Sequence, residues 1–326
     1  MRRWFREFIS PATYQTRPTS LARVPATQRL KNIGTLRYMK SSLQPHFFTV
    51  DVEEHFQVAA FARFISREDW GVLPSRVVRN TELLLELLAS EGATATFFML
   101  GWVAEKYPQL VRRILELGHE VASHGYSHRR VSELTPEEFR HDVRLAKQII
   151  EDAGGTTVLG FRAPNFSIAP GMEWALDILI EEGHVYDSSL FPILRPGYGY
   201  PEAPPIPHVI QTQSGQICEF PLLTTVIAGV RVPAAGGAYF RHLPYSLVQR
   251  ALREHERTQL PGMFYIHPWE VDVDQPRIRA STFASVRHYR GLKKTLPRLR
   301  RLTREFSFCS VEKRLPDISR RLDDRA

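Results

Sequence analysis

His46-Phe47-Phe48-Thr49-Val50-Asp51-Val52-Glu53-Glu54 decides the fold reading. Aromatic and β-branched residues run from Phe47 to Val50 and end in carboxylates, the pattern of a buried strand whose C-terminal end turns polar. From that strand outward, short apolar runs alternate with amphipathic stretches. Further strands are expected at Thr94–Leu100, His119–His124, Val158–Arg162, Val185–Ser189 and Met263–His267, with one or two more between Glu219 and Val232. Helices are expected at Arg76–Glu91, Pro108–Leu117, Pro136–Ala153, Met172–Glu182 and Tyr245–Arg257, with a basic one at Phe283–Arg304. Thr135-Pro136-Glu137-Glu138 supplies an N-cap, a first-turn proline and a capping-box glutamate. Six prolines between Pro192 and Pro207 exclude regular structure there, and Ala234-Ala235-Gly236-Gly237 reads as a turn. Strand and helix in alternation specify an α/β fold with a parallel sheet.

Charge divides the chain into three. Residues 1–45 hold nine Lys or Arg against one acidic residue, and residues 277–326 hold fifteen against five. The net charge of +8 therefore hides an acidic middle, residues 46–276, between a basic, disordered leader and a basic helical C-terminal extension. Basic ends of this kind suit peripheral contact with an anionic membrane surface, and equally suit plain solvated tails. Cys218 and Cys309 lie far apart and in no metal-binding spacing, so a disulfide framework is not expected. No run reaches the roughly 20 apolar residues that span a bilayer. The start lacks a secretory h-region, although its Arg-rich, acid-poor composition resembles a transit peptide. A cytoplasmic protein, at most peripheral to the inner face of a membrane, is the resulting expectation.

Ser123-His124-Gly125-Tyr126-Ser127-His128 carries the chemistry. Two imidazoles four residues apart, joined by one carboxylate from the strand end at Asp51-Val52-Glu53, make a three-ligand set for a divalent cation that leaves a position open for water. Asp51 and Glu53 share a strand face, which favours Glu53 over Glu54 as the carboxylate ligand unless the strand stops at Val52. Five polar residues, Asp51, His124, Arg162, Asp187 and His267, fall at the C-terminal ends of five expected strands, where a βα barrel gathers its functional groups.

With those positions in order, the chain resembles the carbohydrate esterase family 4 polysaccharide deacetylases, the NodB-homology group, over roughly residues 46–290. Phe161-Arg162-Ala163-Pro164, Tyr186-Asp187-Ser188-Ser189 and His267-Pro268-Trp269-Glu270 add to the match and make it similar to deacetylases of exosortase (PEP-CTERM) and exopolysaccharide loci. The resemblance implies a distorted (β/α)7-type barrel and a metal ion, Zn²⁺ first and Co²⁺, Ni²⁺ or Mn²⁺ as substitutes. Glu53, His124 and His128 become the ligands, although the second acid of the family's Asp-Asp pair is here displaced by one residue and lengthened to Glu.

It also implies that Asp51 is the base and His267 the acid that protonates the departing amine. Arg162 would orient Asp51. Asp187 would orient or tune His267, with a turn-capping role equally open. The N–H of Asn165 would face the oxyanion. Phe56, Tyr126 and Trp269 become candidate walls for a sugar ring, with plain core aromatics as the alternative.

An N-acetylated glycan is the partner so implied, polymer or lipid-linked precursor. A metal amidase acting on a small non-sugar amide, and an inactive barrel that only binds polysaccharide, are the competing readings. A serine hydrolase is disfavoured because no G-x-S-x-G elbow occurs. Nucleic-acid binding is not expected, since no recognition module accompanies the basic run Lys293, Lys294, Arg298, Arg300, Arg301 and Arg304. Oligomeric state is not legible.

Overall fold

The computed structural model describes residues 44–195 and 198–323. Of the basic leader, only Gln44 and Pro45 lie among them. Seven parallel strands form the barrel: β1 (His46–Val52), β2 (Thr96–Met99), β3 (Glu120–Ser123), β4 (Gly160–Phe161), β5 (Tyr186–Asp187), β7 (Gly215–Glu219) and β10 (Met263–Ile266). They neighbour one another in the order β10-β1-β2-β3-β4-β5-β7. Closure comes from the segment just past β7, where Leu222 pairs in parallel with Met263 of β10. The ring is the expected distorted (β/α) barrel.

β1 is buried along its whole length, which explains its run of apolar residues without alternation. Phe47, Phe48 and Val50 have no exposed surface. Around the ring lie α1 (Val77–Ser90), α2 (Gly101–Lys106), α3 (Pro108–Glu116), α4 (Pro136–Gly154), α5 (Trp174–Glu181), α6 (Gly237–His242) and α7 (Tyr245–Thr258). The capping box on α4 forms as the sequence implies: Thr135 Oγ1 accepts from Glu138 N at 3.2 Å, and Glu138 Oε2 accepts from Thr135 N at 2.9 Å.

Local chemistry accounts for the departures from expectation. β6 (His208–Thr212) pairs antiparallel with β7 through a tight turn at Gln213-Ser214, so sheet begins earlier than Glu219. β8 (Thr224–Ile227) and β9 (Val230–Pro233) form a separate hairpin. The Ala234–Gly237 turn leads directly into α6.

The basic C-terminal helix is two helices, α8 (Thr282–Tyr289) and α9 (Leu292–Glu305), divided at Gly291, whose φ of 83° ends helical geometry. Arg241 stabilises this break by donating from Nη1 to the carbonyls of His288, at 2.6 Å, and Arg290, at 2.8 Å. Beyond it, β11 (Phe308–Cys309) pairs with β1, and α10 (Leu315–Asp323) follows. Residues 277–323 thus continue one compact unit with the barrel rather than extending from it.

On α9, Leu292, Leu299 and Leu302 are buried against the barrel. Three of its basic side chains are already engaged: Arg298 with the carbonyls of Phe240 and Leu243, Arg301 with Glu305, and Arg304 with Glu91. No helix among the described residues is long and apolar enough to cross a membrane.

Candidate metal centre and active site

β1 ends at Val52, and the two glutamates that follow diverge. Glu54 turns to the N-terminus of α1, where its carboxylate accepts from Arg76 N at 3.0 Å, from Val77 N at 3.2 Å and from the Ser75 hydroxyl. Anionic side chains are favoured at that end of a helix, where N–H groups lack intrahelical partners. Glu54 is therefore the cap, and Glu53 is left to face the barrel mouth. Among the described residues, Glu53, His124 and His128 bring one ligand atom each within 4.8 Å of the others, and all three are buried.

The imidazoles are held by backbone geometry rather than by helical periodicity. His124 follows β3, and its Nδ1 lies 2.8 Å from the Arg162 carbonyl, so Nδ1 carries the proton and Nε2 is left free to ligate. The chain then turns sharply. Gly125 has φ 70°, and a Cβ there would meet Asp142 Oδ2 at 2.8 Å, so the close approach of Asp142 requires glycine. Asp142 accepts from Tyr126 N at 2.7 Å and from Ser127 N at 3.1 Å, which pins the loop and returns His128, φ 53°, beside His124. The two rings stand 5.4 Å apart, centroid to centroid.

The donor set fits a divalent cation. Glu53 Oε2 approaches His128 Nε2 to 2.5 Å yet takes no hydrogen bond of normal geometry, so a buried carboxylate oxygen is aimed at the imidazoles without a donor of its own. Burial alone would push the Glu53 carboxyl upward. The neighbouring imidazoles, His128 foremost and then His267, outweigh it and hold the group at about 2. Burial pushes His124 down to about 4, which keeps it neutral and able to ligate.

Asp51 lies beside this set without joining it. Arg162, fully buried, donates from Nη1 to Asp51 Oδ1 at 2.6 Å and to Thr49 Oγ1 at 2.8 Å. Its remaining N–H groups reach the Ser188 carbonyl at 3.2 Å and the Ser188 hydroxyl at 2.9 Å. The guanidinium is thereby locked, with Phe98 stacked 4.0 Å from its carbon. Asp51 Oδ2 remains open toward the cavity, 3.9 Å from His267 Nε2.

His267 follows β10. Its Nδ1 is 2.7 Å from Glu270 Oε1, and Glu270 Oε2 is 2.5 Å from Arg241 Nε. Burial opposes charge on His267, but Glu53 and then Glu270 reverse that and raise it to about 9. Glu270 rather than Asp187 therefore orients His267, and the expected tuning role of Asp187 is corrected. Asp187 instead accepts from Ser189 Oγ at 2.6 Å, and Ser189 Oγ in turn accepts from Ala163 N at 2.8 Å, so its contacts brace the loop that follows Arg162. Asn165 on that loop is left-handed, φ 58°, and lines the cavity.

Two of the three expected aromatic walls are elsewhere. Phe56 is core, packed edge-on to Trp102 at 6.4 Å. Tyr126 does not line the cavity: its hydroxyl lies 2.8 Å from Glu105 Oε2, and its backbone N–H donates to Asp142. Trp269 does line the cavity, but it is sandwiched between His267 and His288 at 5.1 Å and 4.2 Å, and its Nε1 donates to Glu53 Oε1 at 3.1 Å. It is a hydrogen-bond partner of Glu53 rather than an open platform. The cavity, about 230 Å³, is faced instead by Tyr198 and Tyr239, whose hydroxyls meet at 2.7 Å.

Residues 69–176 match the polysaccharide deacetylase family model, and residues 188–315 match a domain of unknown function, DUF3473. His124, His128, Arg162 and Asn165 fall in the first match and His267 and Glu270 in the second. Among curated relatives, a peptidoglycan-N-acetylglucosamine deacetylase of Bacillus cereus is 32% identical over 98 residues, 30% of this chain and 36% of that protein. A chitooligosaccharide deacetylase of a Bradyrhizobium species is 32% identical over 96 residues, 29% of this chain and 42% of that protein. The chain thus spans well under half the length of either.

A crystal structure from Mycobacterium smegmatis, classed as a polysaccharide deacetylase, shares the fold at TM-score 0.50 and 19% identity, covering 78% of this chain and 90% of that one. Residues 69–176 therefore match the polysaccharide deacetylase family and resemble these curated relatives, and the barrel shares its fold with the Mycobacterium smegmatis structure.

Proposed function

We propose that this chain is a metal-dependent hydrolase that removes N-acetyl groups from amino sugars of a polysaccharide or its lipid-linked precursor. The observation that carries the reading is the convergence of Glu53, His124 and His128 within 4.8 Å, with Asp51 and His267 on its rim. The named activities of the curated relatives, on peptidoglycan and chitooligosaccharide, support the substrate class. Exopolysaccharide assembly is the setting that the narrower likeness to exosortase-locus deacetylases suggests.

Glu53, His124 and His128 would hold a divalent cation, Zn²⁺ first among them, which supplies acidification of water and polarisation of the acetamide carbonyl. Asp51, oriented by Arg162, takes the proton of the attacking water through its free Oδ2. The left-handed turn at Asn165 presents a backbone N–H to the oxygen that gains charge. His267, kept protonated by the Glu53 and Glu270 carboxylates, donates to the departing amine from Nε2.

Acetate release is the test, measured on N-acetylglucosamine oligomers and on small cyclic amides with Zn²⁺-supplied wild type and Asp51→Asn. Release from the glycans, lost in Asp51→Asn, is the expected result. Release from the small amides alone would replace the substrate class. Glycan binding without any release would make the barrel a binder.

A further inference from the structure

Arg130 and Arg287 both line the cavity above Asp51, one just past His128 and the other on α8. Neither guanidinium has an ion-pair or hydrogen-bond partner among the described residues. The third arginine of the cavity, Arg241, behaves differently: it is spent on Glu270 and on the carbonyls of the α8–α9 break. Tyr239 places Arg287 near a further cation, Arg195. Arg195 stacks over its ring at 6.0 Å, and the charges of Arg195 and Arg287 both favour its phenolate form against the stronger upward push of burial.

Like charges around one opening cost free energy unless an anion joins them, and guanidinium forks match carboxylate and phosphate oxygens. The Asp51 and Glu53 carboxylates do not fill that role. Asp51 is engaged by Arg162, and Glu53 by its imidazoles and Trp269.

We infer that Arg130 and Arg287 form a subsite for an anionic group adjoining the N-acetylated sugar, a phosphate or a carboxylate, so that the substrate is an acidic glycan or a glycosyl phosphate. The inference rests on the deacetylase reading for the sugar itself. Tyr198 and Tyr239, which line the same cavity, supply apolar surface for the ring that bears the charge. A neutral diol would also accept hydrogen bonds from arginine, but it would leave both charges uncompensated.

Three probes separate the cases: chitobiose, N-acetylglucosamine 1-phosphate, and a disaccharide of N-acetylglucosamine with glucuronate. For each, kcat/KM for acetate release and the dissociation constant are measured on wild type, Arg130→Gln, Arg287→Gln and the double variant. Wild type is expected to favour one of the charged probes over chitobiose by at least about tenfold, and each substitution to cut that ratio about tenfold. The preferred probe identifies the anion as phosphate or carboxylate. Equal handling of neutral and charged probes by wild type, or a preference that survives in the double variant, would overturn the subsite. If no probe releases acetate, the deacetylase reading fails, and the dissociation constants still decide whether the two arginines recognise an anion.

Discussion

Glu270 Oε1 lies 2.7 Å from His267 Nδ1, and this contact sets the proton inventory of the cavity. It fixes the ring orientation so that Nε2 faces Asp51 and Glu53, and with the Glu53 charge it raises the imidazole to about 9. A general acid must be protonated to work, so activity falls as pH rises through its pKa. Glu270→Gln keeps a hydrogen-bond partner but removes the charge. The alkaline limb of the pH–rate profile is expected to move down by about 1 unit, with kcat about tenfold lower at neutral pH. NMR titration of the metal-free protein should place His267 near 9 in wild type and lower in Glu270→Gln. An unmoved His267 would show that Glu270 does not set its charge.

Arg162 is a buried cation that donates four hydrogen bonds to three residues, two of them, Thr49 and Asp51, on β1. Arg162→Met would leave Asp51 buried without its cation, a change that costs about 3–5 kcal/mol. Urea unfolding should show that loss, while Arg162→Lys keeps the charge, loses the fork and lowers kcat more than stability. Equal midpoints for wild type and Arg162→Met would contradict the ion pair.

Trp269 donates its indole N–H to the carboxylate ligand at 3.1 Å. Trp269→Phe preserves the stack between His267 and His288 and deletes that donor. Metal affinity is expected to fall about 10- to 100-fold, read by competition with a chromogenic chelator, with the unfolding midpoint little changed. Undiminished affinity would mean that Glu53 is held without the indole.

Asp187 and Glu219 are buried carboxyls that face one another beneath the Arg162 loop, both raised by burial, and Glu219 further by the Asp187 charge. A carboxyl raised in the fold contributes stability that is fully present below its unfolded value, near 4.5, and is lost as pH climbs through the folded value. Stability of wild type should therefore decline upward from about pH 5. Glu219→Gln, which keeps a donor toward Asp187, is expected to flatten that decline and to gain about 1 kcal/mol at pH 8. Parallel pH–stability curves would mean that the two carboxyls do not share a proton.

How much of this was legible in the sequence depended on whether the signal was local. Strand alternation at Asp51-Val52-Glu53 and the His124/His128 spacing pointed to the candidate set, because Glu53 and His124 follow strands whose apolar runs are visible and His128 lies one short turn beyond. The helix cap at Glu54 explains why the neighbouring acid was excluded, and that choice needed α1 in place. Glu270 was within reach, since a glutamate three residues after His267 is a capping-box spacing, and its carboxylate does accept from His267 N at 3.2 Å. Asp142 was not within reach, because it bonds Tyr126 N from sixteen residues away. Phe56 and Tyr126 show the opposite failure. Aromatic identity says that a ring will pack, and only tertiary closure says which side it faces. Closure likewise brings Arg130 and Arg287, distant in sequence, to one opening.

The most direct measurement is metal stoichiometry on purified wild type, His124→Ala and Asp51→Asn, with acetate release from N-acetylglucosamine oligomers followed on the same samples. One divalent ion per chain in wild type and in Asp51→Asn, none retained in His124→Ala, and acetate released by wild type alone is the expected result. A wild type that binds no ion, or a His124→Ala protein that binds it as tightly, would contradict the centre formed by Glu53, His124 and His128.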